Sequence, residues 1–391
     1  MDSRTLINDA SAHVSRPPLR ILLVRFGAMG DIIHALPAAA ALRAAYPAAQ
    51  MDWLVETRWR ALLEPSRDRE GVVHLIDHVV SLDTFALRRN LSSSDSWSTL
   101  CALVGQLRAN HYDIAVDLQG AIKAAVACRL SGAPRVVGFS RNKGYARNGG
   151  FAQPWLRESV AGVFYTREVE SNARHIVDAN LDLAGAVIAA IQLTQAVQPG
   201  SPESKALDAP PRRVVFPLPL GDTDQLPPEI PTSGFAVMNP GAGWRSKQWS
   251  NTSFAAVCDA LVSQHDIPTV LNCGPGERGL SEQVLTACTT ARPIIFCGDI
   301  PALIALLRRA RLMIGPDTGP LHLAAALGVP TVGLYGPTDP ERNGPYGPAV
   351  RSLRWPDAHT SYRHDEPSDG SMDAITPAMV LAAIEELGLF F

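Results

Sequence analysis

The sequence predicts an α/β protein built from two Rossmann-like domains that face each other across a cleft. First, its 391 residues are enough for two domains of ordinary size. Second, short apolar runs alternate with helical stretches in both halves, which is typical of parallel sheets covered by helices on both faces. Third, nine prolines between positions 199 and 231 mark a connection between the halves.

The predicted boundaries follow from these patterns. Residues 1–18 form a flexible leader, 19–205 the N-terminal domain and 206–391 the C-terminal domain. In the first domain we predict strands over 20–25, 51–55 and 114–118, and helices over about 31–45 and 101–110. Pro37 is expected to kink the first helix or to lie within its first turn.

The alternation of strands and helices restarts after the proline-rich connection, in which 213–216 is a candidate short strand. Strands are predicted over 235–239, 269–273, 294–297, 312–315 and 331–335. Helices are predicted over 251–264, 280–287, 301–309 and 321–327. The second half therefore repeats the architecture of the first.

Composition and charge exclude several function classes. Hydrophobic residues make up 46% and charged residues 19% of the chain, so two cores can form and a disordered protein is excluded. The net charge of −3 disfavours broad binding to nucleic acid. Within 123–174, nine basic residues stand against three acidic ones. This segment is either a solvated face or a site for an anionic partner.

The cysteines and the apolar stretches predict the compartment. Six cysteines form no C-x-x-C pair, so we expect a reducing compartment without a disulfide framework or a metal cluster. The first 20 residues lack the apolar segment of a signal peptide, and the uncharged stretch 183–202 is too polar to span a bilayer. A cytoplasmic location is expected, and contact with a membrane surface stays open.

Asp31 ends a short glycine motif, GAMGD at 27–31, between the first strand and the first helix. Two glycines three residues apart let the backbone turn tightly and let a ligand come close. At a helix N-terminus the ionised form of Asp31 is favoured. Asp31 either caps this helix or acts as a general base on a hydroxyl group.

A second motif, GPDTGPLH at 315–322, also follows a strand and opens a helix. The backbone N–H groups of Thr318 and Gly319 are expected to point outward at the helix start, where a phosphate binds favourably. Helix capping accounts for Asp317 alone. It does not account for two glycines, a threonine and His322 together, so the motif predicts an anion site.

Two further loops carry candidate ligands of a nucleotide. The loop at 239–249 completes neither the dinucleotide fingerprint nor the P-loop pattern, and its Lys247 either binds a diphosphate or is an exposed loop lysine. Glu277 either accepts hydrogen bonds from ribose hydroxyls or caps the following helix. The turn GPTDP at 336–340 is expected to rim the cleft.

No metal is predicted. The one Asp-x-Asp pattern, at 222–224, lies in the proline-rich connection without a preceding strand, and we treat it as chance. No H-E-x-x-H motif or cluster of histidine ligands occurs in the sequence.

Together these motifs resemble the bacterial ADP-heptose:lipopolysaccharide heptosyltransferases, the ninth glycosyltransferase family, which has the two-domain GT-B fold. The similarity runs from about residue 20 to 347, and its most specific parts are DTGPLH at 317–322 and YGPTDP at 335–340. The segment MGDIIHALP at 29–37 is most similar to the subgroup that adds the first heptose to Kdo–lipid A.

The resemblance implies roles for the matching residues. Asp31 would be the base that deprotonates the acceptor hydroxyl. The donor side would hold the diphosphate, the ribose and the heptose through Lys247, Glu277, Asp317, Thr318, Gly319 and His322. The acceptor side would be bound or ordered by Arg88, Arg89 and Arg157.

The implied reaction is an inverting, metal-independent transfer of L-glycero-D-manno-heptose from ADP-heptose to Kdo of Kdo2-lipid A. The resemblance implies a cytoplasmic enzyme, peripheral on the inner membrane, with no cofactor. Three alternatives stay open. They are a transferase that adds a later heptose or another sugar, a nucleotide-sugar epimerase of the same architecture, and a non-enzymatic nucleotide-sugar-binding protein.

Overall fold

The computed structural model describes residues 17–64, 74–90, 93–141, 144–145, 153–196, 214–363 and 367–390. Two six-stranded sheets, each entirely parallel, confirm the predicted α/β class. The leader over 1–18 falls almost wholly, and the boundary at 205/206 entirely, outside the described residues, so both stay predictions.

The first sheet has the strand order β3-β2-β1-β4-β5-β8. Its strands are β1 (Arg20–Val24), β2 (Gln50–Glu56), β3 (His78–Leu82), β4 (Ile114–Asp117), β5 (Arg135–Phe139) and β8 (Arg167–Val169), and β6 (Gly144–Tyr145) pairs separately with β7 (Gln153–Pro154). Successive residues of β1 enter different apolar clusters, Leu23 on one face and Leu22 on the other. Both faces of this strand are therefore buried, which explains its unbroken apolar run.

The helices of the first half follow the strands in the order of a parallel sheet. They are α1 (Met29–Ala45), α2 (Thr84–Arg89), α3 (Ser94–Ala109), α4 (Ile122–Leu130) and α5 (Ile176–Ala196), with short 3-10 helices at Thr57–Leu62 and Ser159–Phe164. Pro37 lies in the middle of α1, so of the two alternatives its place in the first turn is wrong, and the kink stays a prediction. The helix predicted over 101–110 begins earlier, at Ser94, where the Ser93 side chain caps it.

The second sheet repeats the same order, β11-β10-β9-β12-β13-β14. Its strands are β9 (Phe235–Met238), β10 (Thr269–Asn272), β11 (Ile294–Phe296), β12 (Ala310–Pro316), β13 (Thr331–Tyr335) and β14 (Val350–Arg354). The helices are α6 (Asn251–His265), α7 (Arg278–Ala287), α8 (Ile300–Arg309), α9 (Gly319–Ala326), α10 (Pro340–Asn343) and α11 (Pro377–Glu386), with a 3-10 turn at Arg245–Lys247. The candidate strand at 213–216 is not formed, since residues 214–216 have no regular structure and Arg213 lies outside the described residues.

The two sheets are joined by helices rather than by a shared sheet. Helix α1 of the first half packs against α5 on one side and against α9 of the second half on another. One apolar cluster runs through this contact, from Ile33 of α1 to Leu321 of α9. In sheets of this order, ligands bind at the carboxyl ends of the central strands, here β1 and β4 in one half and β9 and β12 in the other.

Helix α5, with 21 residues, is the longest helix in the described residues. Its window Ile176–Leu193 is long and apolar enough to cross a membrane, and 56% of that window is buried inside the protein. Its side chains at Leu183, Val187 and Ile191 belong to the same apolar cluster as α1. Packing against α1 therefore accounts for its composition.

One disulfide contradicts the expectation drawn from the cysteines. Cys273 at the end of β10 is bonded to Cys297 beyond β11, with their Cα atoms 4.9 Å apart. These neighbouring parallel strands bring together residues that are 24 positions apart in sequence. The prediction of no disulfide is wrong for this pair, because no local spacing reveals which strands become neighbours.

Candidate active site

The two glycine motifs meet where the N-termini of α1 and α9 touch. A Cβ atom placed on Gly30 would lie 2.5 Å from Cδ2 of His322, and one placed on Gly319 would lie 2.6 Å from the sulfur of Met29. Only glycine at both positions allows the helices to come so close. The sequence therefore brings a helix start from each half to one place, at the mouth of the cleft.

Asp31 lies in the first turn of α1 and is surrounded by positive charge. Its Oδ2 atom lies 2.8 Å from Nη2 of Arg25 and 3.9 Å from Nη1 of Arg157, and accepts a hydrogen bond from the backbone N–H of Ala28. These three contacts all use Oδ2, and a quarter of the Asp31 side chain is exposed. Asp31 thus closes the start of α1, as the capping interpretation requires, and still has Oδ1 for another partner.

The carboxyl group of Asp31 is held in its ionised form. Burial would raise the pKa of this carboxyl group, but Arg25 and Arg157 outweigh burial and hold the pKa below its usual value. Arg25 is itself buried and donates to the backbone oxygen of Leu118, at the end of β4. Both central strands of the first sheet therefore fix the position of this carboxylate.

Asp317 lies at the start of the opposite helix and uses both of its oxygens. Oδ2 lies 2.6 Å from Nζ of Lys247 and accepts a hydrogen bond from Thr338, while Oδ1 lies 2.9 Å from Nε2 of His322. Burial raises the pKa of Asp317, but the charge of Lys247 and the contact with His322 lower it far more, to well below the usual range. Asp317 holds Lys247 and His322 in place beside the start of α9.

The start of α9 offers backbone donors beside a fixed cation. The hydroxyl of Thr318 bonds back to the oxygen of Pro316 rather than to the helix, so it does not cap the first N–H groups of α9. Nζ of Lys247 lies 4.2 Å from the centre of the Trp244 ring, which limits where the ammonium group can move. Uncapped N–H groups and a buried ammonium suit a diphosphate.

Glu277 lies at the end of the neighbouring strand β10, in the turn before α7. Its Oε2 accepts a hydrogen bond from the N–H of Gly274, and its carboxylate fills the space beside Gly241. No hydrogen bond from its side chain to the first turn of α7 is present in the described chain, so the capping interpretation is not supported. The carboxylate of Glu277 therefore lies between the loops that follow β9 and β10.

The predicted acceptor residues are only partly brought together. Arg157, with 57% of its side chain exposed, lies beside Asp31. Arg89 is exposed at the end of α2 and makes no ion pair or hydrogen bond with the described residues. The Arg88 side chain lies outside the described part of the molecule. The roles of all ten predicted residues stay predictions.

The structure also places residues that the sequence did not single out. Arg25 anchors Asp31. Thr338, within the turn noted at 336–340, is buried and donates to Asp317. Asn239 links Asn272 to the loop after β9. Arg342, two residues beyond that turn, reaches the first half of the molecule. In the sequence, only the turn GPTDP at 336–340 pointed to Thr338 as a residue near the cleft.

In the described residues, no group of three or more His, Cys, Asp or Glu side chains is placed to hold a metal ion. The expectation of a metal-free reaction stays a prediction. What the cleft does offer is the carboxylate of Asp31, whose contacts leave Oδ1 open, at the start of α1, and the ion pair of Lys247 with Asp317 beside the start of α9.

Comparison with known sequences gives a consistent result. The profile of glycosyltransferase family 9 (heptosyltransferase) matches residues 100–369, more than half of the chain. Lipopolysaccharide heptosyltransferase 1 of Pseudomonas aeruginosa is 26% identical over 341 residues, which cover 84% of this chain and 82% of that protein. Lipopolysaccharide heptosyltransferase 3 of Escherichia coli is 24% identical over 318 residues, 79% of this chain and 81% of that protein.

Comparison with solved structures supports the architecture. Escherichia coli heptosyltransferase WaaC with ADP superposes with a TM-score of 0.72 at 22% identity, over 94% of this chain and 100% of that one. At that identity the likeness shows the fold alone. The two facing Rossmann-like sheets are therefore the GT-B fold that the resemblance implied.

Proposed function

The chain belongs to glycosyltransferase family 9, the heptosyltransferases, and from this premise we propose its donor, its acceptor and its mechanism. It transfers L-glycero-D-manno-heptose from ADP-heptose to Kdo of Kdo2-lipid A, with inversion at the anomeric carbon and without a metal. The observation that carries the proposal is the contact between the helix bearing Asp31 and the helix start beside Lys247 and Asp317.

The donor site is proposed on the second half. Lys247 and the N–H groups of Thr318 and Gly319 bind the diphosphate, and Glu277 accepts hydrogen bonds from the ribose. Asp317 and His322 fix the position of Lys247 beside the start of α9, and Asp317 contacts the heptose or the adjacent phosphate. WaaC, a structural neighbour, was solved with ADP, which supports an adenosine diphosphate here.

The chemical step follows from the charges at the cleft. Asp31 is ionised near neutral pH, and its Oδ1 takes the proton from the acceptor hydroxyl as that oxygen attacks the anomeric carbon. The bond to the diphosphate breaks, and the charge that develops on ADP is stabilised by Lys247 and the start of α9. One displacement inverts the configuration, so a single carboxylate suffices.

The acceptor is proposed from the positive charge of the first half. Arg157 stands next to Asp31, and Arg88 and Arg89 are placed on α2, so an anionic acceptor such as Kdo2-lipid A suits this side. A second candidate is transfer of a later heptose. It is favoured by the match to a heptosyltransferase 3 over most of the chain.

The location is proposed to be the cytoplasm, with peripheral attachment to the inner membrane. A lipid-linked acceptor requires the cleft to work at a membrane surface. Helix α2 exposes Phe85 and Arg89, and α3 exposes Trp97. Aromatic and cationic side chains on one surface favour an anionic bilayer. Separation of cells into soluble and membrane pools, before and after a high-salt wash, tests this.

The test of the function is ADP release from ADP-heptose, measured with Kdo2-lipid A, with the same acceptor already carrying one heptose, and with no acceptor. The proposal expects release that depends on Kdo2-lipid A and does not change with EDTA. Release only with the heptosylated acceptor would support the later-heptose candidate. A sugar isomer formed without acceptor would identify an epimerase, and tight donor binding without release would contradict a transferase.

The Asp31→Asn variant tests the mechanism. Its amide cannot accept the proton, so we expect turnover to fall at least about 10³-fold while ADP affinity stays within about twofold of the parent protein. Asp95→Asn, in the first turn of α3, is the matched control and should retain full turnover. Retained turnover in Asp31→Asn, or a loss of ADP affinity, would contradict the assignment of the base.

A further inference from the structure

Arg342 crosses from the second half of the molecule to the first, beside the proposed active site. It lies in α10, directly after the turn that carries Thr338. Its guanidinium carbon is 4.5 Å from the centre of the Trp155 ring, a buried side chain of the first half, and 5.3 Å from the ring of Tyr362. Trp155 is two residues before Arg157, so Arg342 reaches the neighbourhood of the acceptor arginine.

The charge of Arg342 interacts with the charges around Asp31. Burial lowers the pKa of Arg342 most, while Tyr362 and Asp31 raise it and Arg157 lowers it further. Arg25 and Arg157 contact the carboxylate of Asp31, and Arg342 is within electrostatic range of both Asp31 and Arg157. Excess positive charge in a partly dry cleft is unfavourable unless an anion binds there.

The hydrogen-bonding state of Arg342 also leaves room for a ligand. Nη1 of Arg342 donates a hydrogen bond to Oδ1 of Asn343, and its Nε is buried without an acceptor among the described residues. A guanidinium with an unsatisfied Nε matches a carboxylate, which binds such a planar group through two parallel hydrogen bonds.

We propose that Arg342 is an acceptor-binding residue, which together with Arg157 binds the carboxylate of a sugar-acid acceptor beside Asp31. The inference rests on the proposed function and adds the specificity of the site, since neutral sugars lack the group that these arginines bind. Because Arg342 comes from the donor-binding half, the acceptor site is complete only when both halves are in contact.

The experiment compares Arg342→Met and Arg342→Lys with the parent protein on two acceptors, Kdo2-lipid A and its Kdo methyl ester. For Arg342→Met we expect at least about a tenfold rise in the KM for the charged acceptor, with the affinity for ADP unchanged. With the ester, the parent protein and Arg342→Met should give similar KM values, because the group that Arg342 binds is gone. Arg342→Lys should lie between the two on the charged acceptor.

Controls separate this inference from the proposed function. Arg351→Met, an exposed arginine on β14 of the same half, should leave both acceptors and ADP unaffected. Equal penalties on the two acceptors, or a loss of ADP affinity in Arg342→Met, would overturn the inference. If the parent protein transfers to neither acceptor, the proposed function fails. The inference is then decided by binding of free Kdo to the ADP-loaded protein, detected by saturation-transfer NMR, which Arg342→Met should abolish.

Discussion

At the scale of single residues, the two carboxylates of the cleft are both ionised but are used differently. The contacts of Asp31 all fall on Oδ2, whereas Asp317 uses both oxygens, Oδ1 for His322 and Oδ2 for Lys247 and Thr338. A carboxylate with a free oxygen can take a proton, while one with both oxygens engaged mainly positions its partners. This difference favours Asp31 as the base and explains why two carboxylates do not imply two proton-transfer steps.

Thr338 gives a prediction at this scale, because it donates the one hydroxyl hydrogen bond that Asp317 receives in the described chain. Thr338→Val keeps the shape of the side chain but removes the donor. We expect the free energy of unfolding to fall by about 2 kcal/mol, the usual worth of a hydrogen bond to a charged group. Urea unfolding at pH 7 measures it. Thr338→Ser keeps the hydroxyl and should lose less than about 1 kcal/mol; equal losses in both variants would contradict a role for the hydrogen bond.

At the scale of elements, the site depends on the close contact of two helix starts, and Gly30 tests that contact. A methyl group at this position would overlap the ring of His322, so α1 and α9 must move apart. For Gly30→Ala we expect a loss of about 1–3 kcal/mol in the free energy of unfolding, and a fall in turnover larger than the fall in ADP affinity. Urea unfolding, ADP titration and the ADP-release assay measure the three quantities.

The matched control for this substitution is Gly279→Ala in α7. A Cβ atom on Gly279 meets nothing within 4 Å, so alanine should stabilise that helix by up to ~1 kcal/mol and leave turnover unchanged. If Gly30→Ala behaves like Gly279→Ala, the helix starts are not held together as tightly as the structure indicates.

Elements also show how much of the fold could be predicted from the sequence. Buried strands with unbroken apolar runs, such as β1 and β13, were predicted to within one residue at each end. Strand β8 has three residues, too few to show a pattern, and was missed. The first two turns of α3 are polar, so periodicity located only its second half, although Ser93 was a recognisable cap.

The site was predictable in its parts and not in its assembly. Asp31, Asp317 and Lys247 follow strands and open or precede helices, so local patterns reveal them. Arg342 and Trp155 lie 187 positions apart in the sequence and meet through contact between the two halves. Contacts of this kind depend on how the two sheets are placed relative to each other, and the spacing of residues in the sequence does not reveal that placement.

At the scale of the whole molecule, three histidines lie where the halves join. The rings of His34 and His322 have centres 4.5 Å apart, and those of His34 and His175 are 5.4 Å apart. His34 comes from α1, His322 from α9, and His175 precedes α5 and binds the backbone oxygen of Gly344 in the second half. Three adjacent imidazoles cannot all carry a proton at low cost, so this junction should be sensitive to acid.

The direction of that sensitivity follows from two pKa values. Burial lowers the pKa of His175 to about 4, and burial together with His322 and His175 lowers that of His34 well below its usual value. Both groups bind protons more readily in the unfolded state, whose histidine pKa is about 6.5. The stability that they provide is complete above that pH and is lost as the pH falls toward 4. At pH 5 the free energy of unfolding has fallen by about 2 kcal/mol because of His175 alone.

Asp117 acts in the opposite direction, so the test must compare variants rather than pH values alone. Burial raises the pKa of Asp117 to about 6, and its protonation below that pH offsets part of the loss from the histidines.

His175→Gln keeps an N–H donor for Gly344 but cannot titrate. We therefore expect the fall in unfolding free energy between pH 7.5 and pH 5 to be about 2 kcal/mol smaller in His175→Gln than in the parent protein. His359→Gln, at an exposed position, should behave like the parent. The same pH dependence in all three proteins would show that His175 does not lose its proton on folding. The two halves would then be held together without a buried neutral His175.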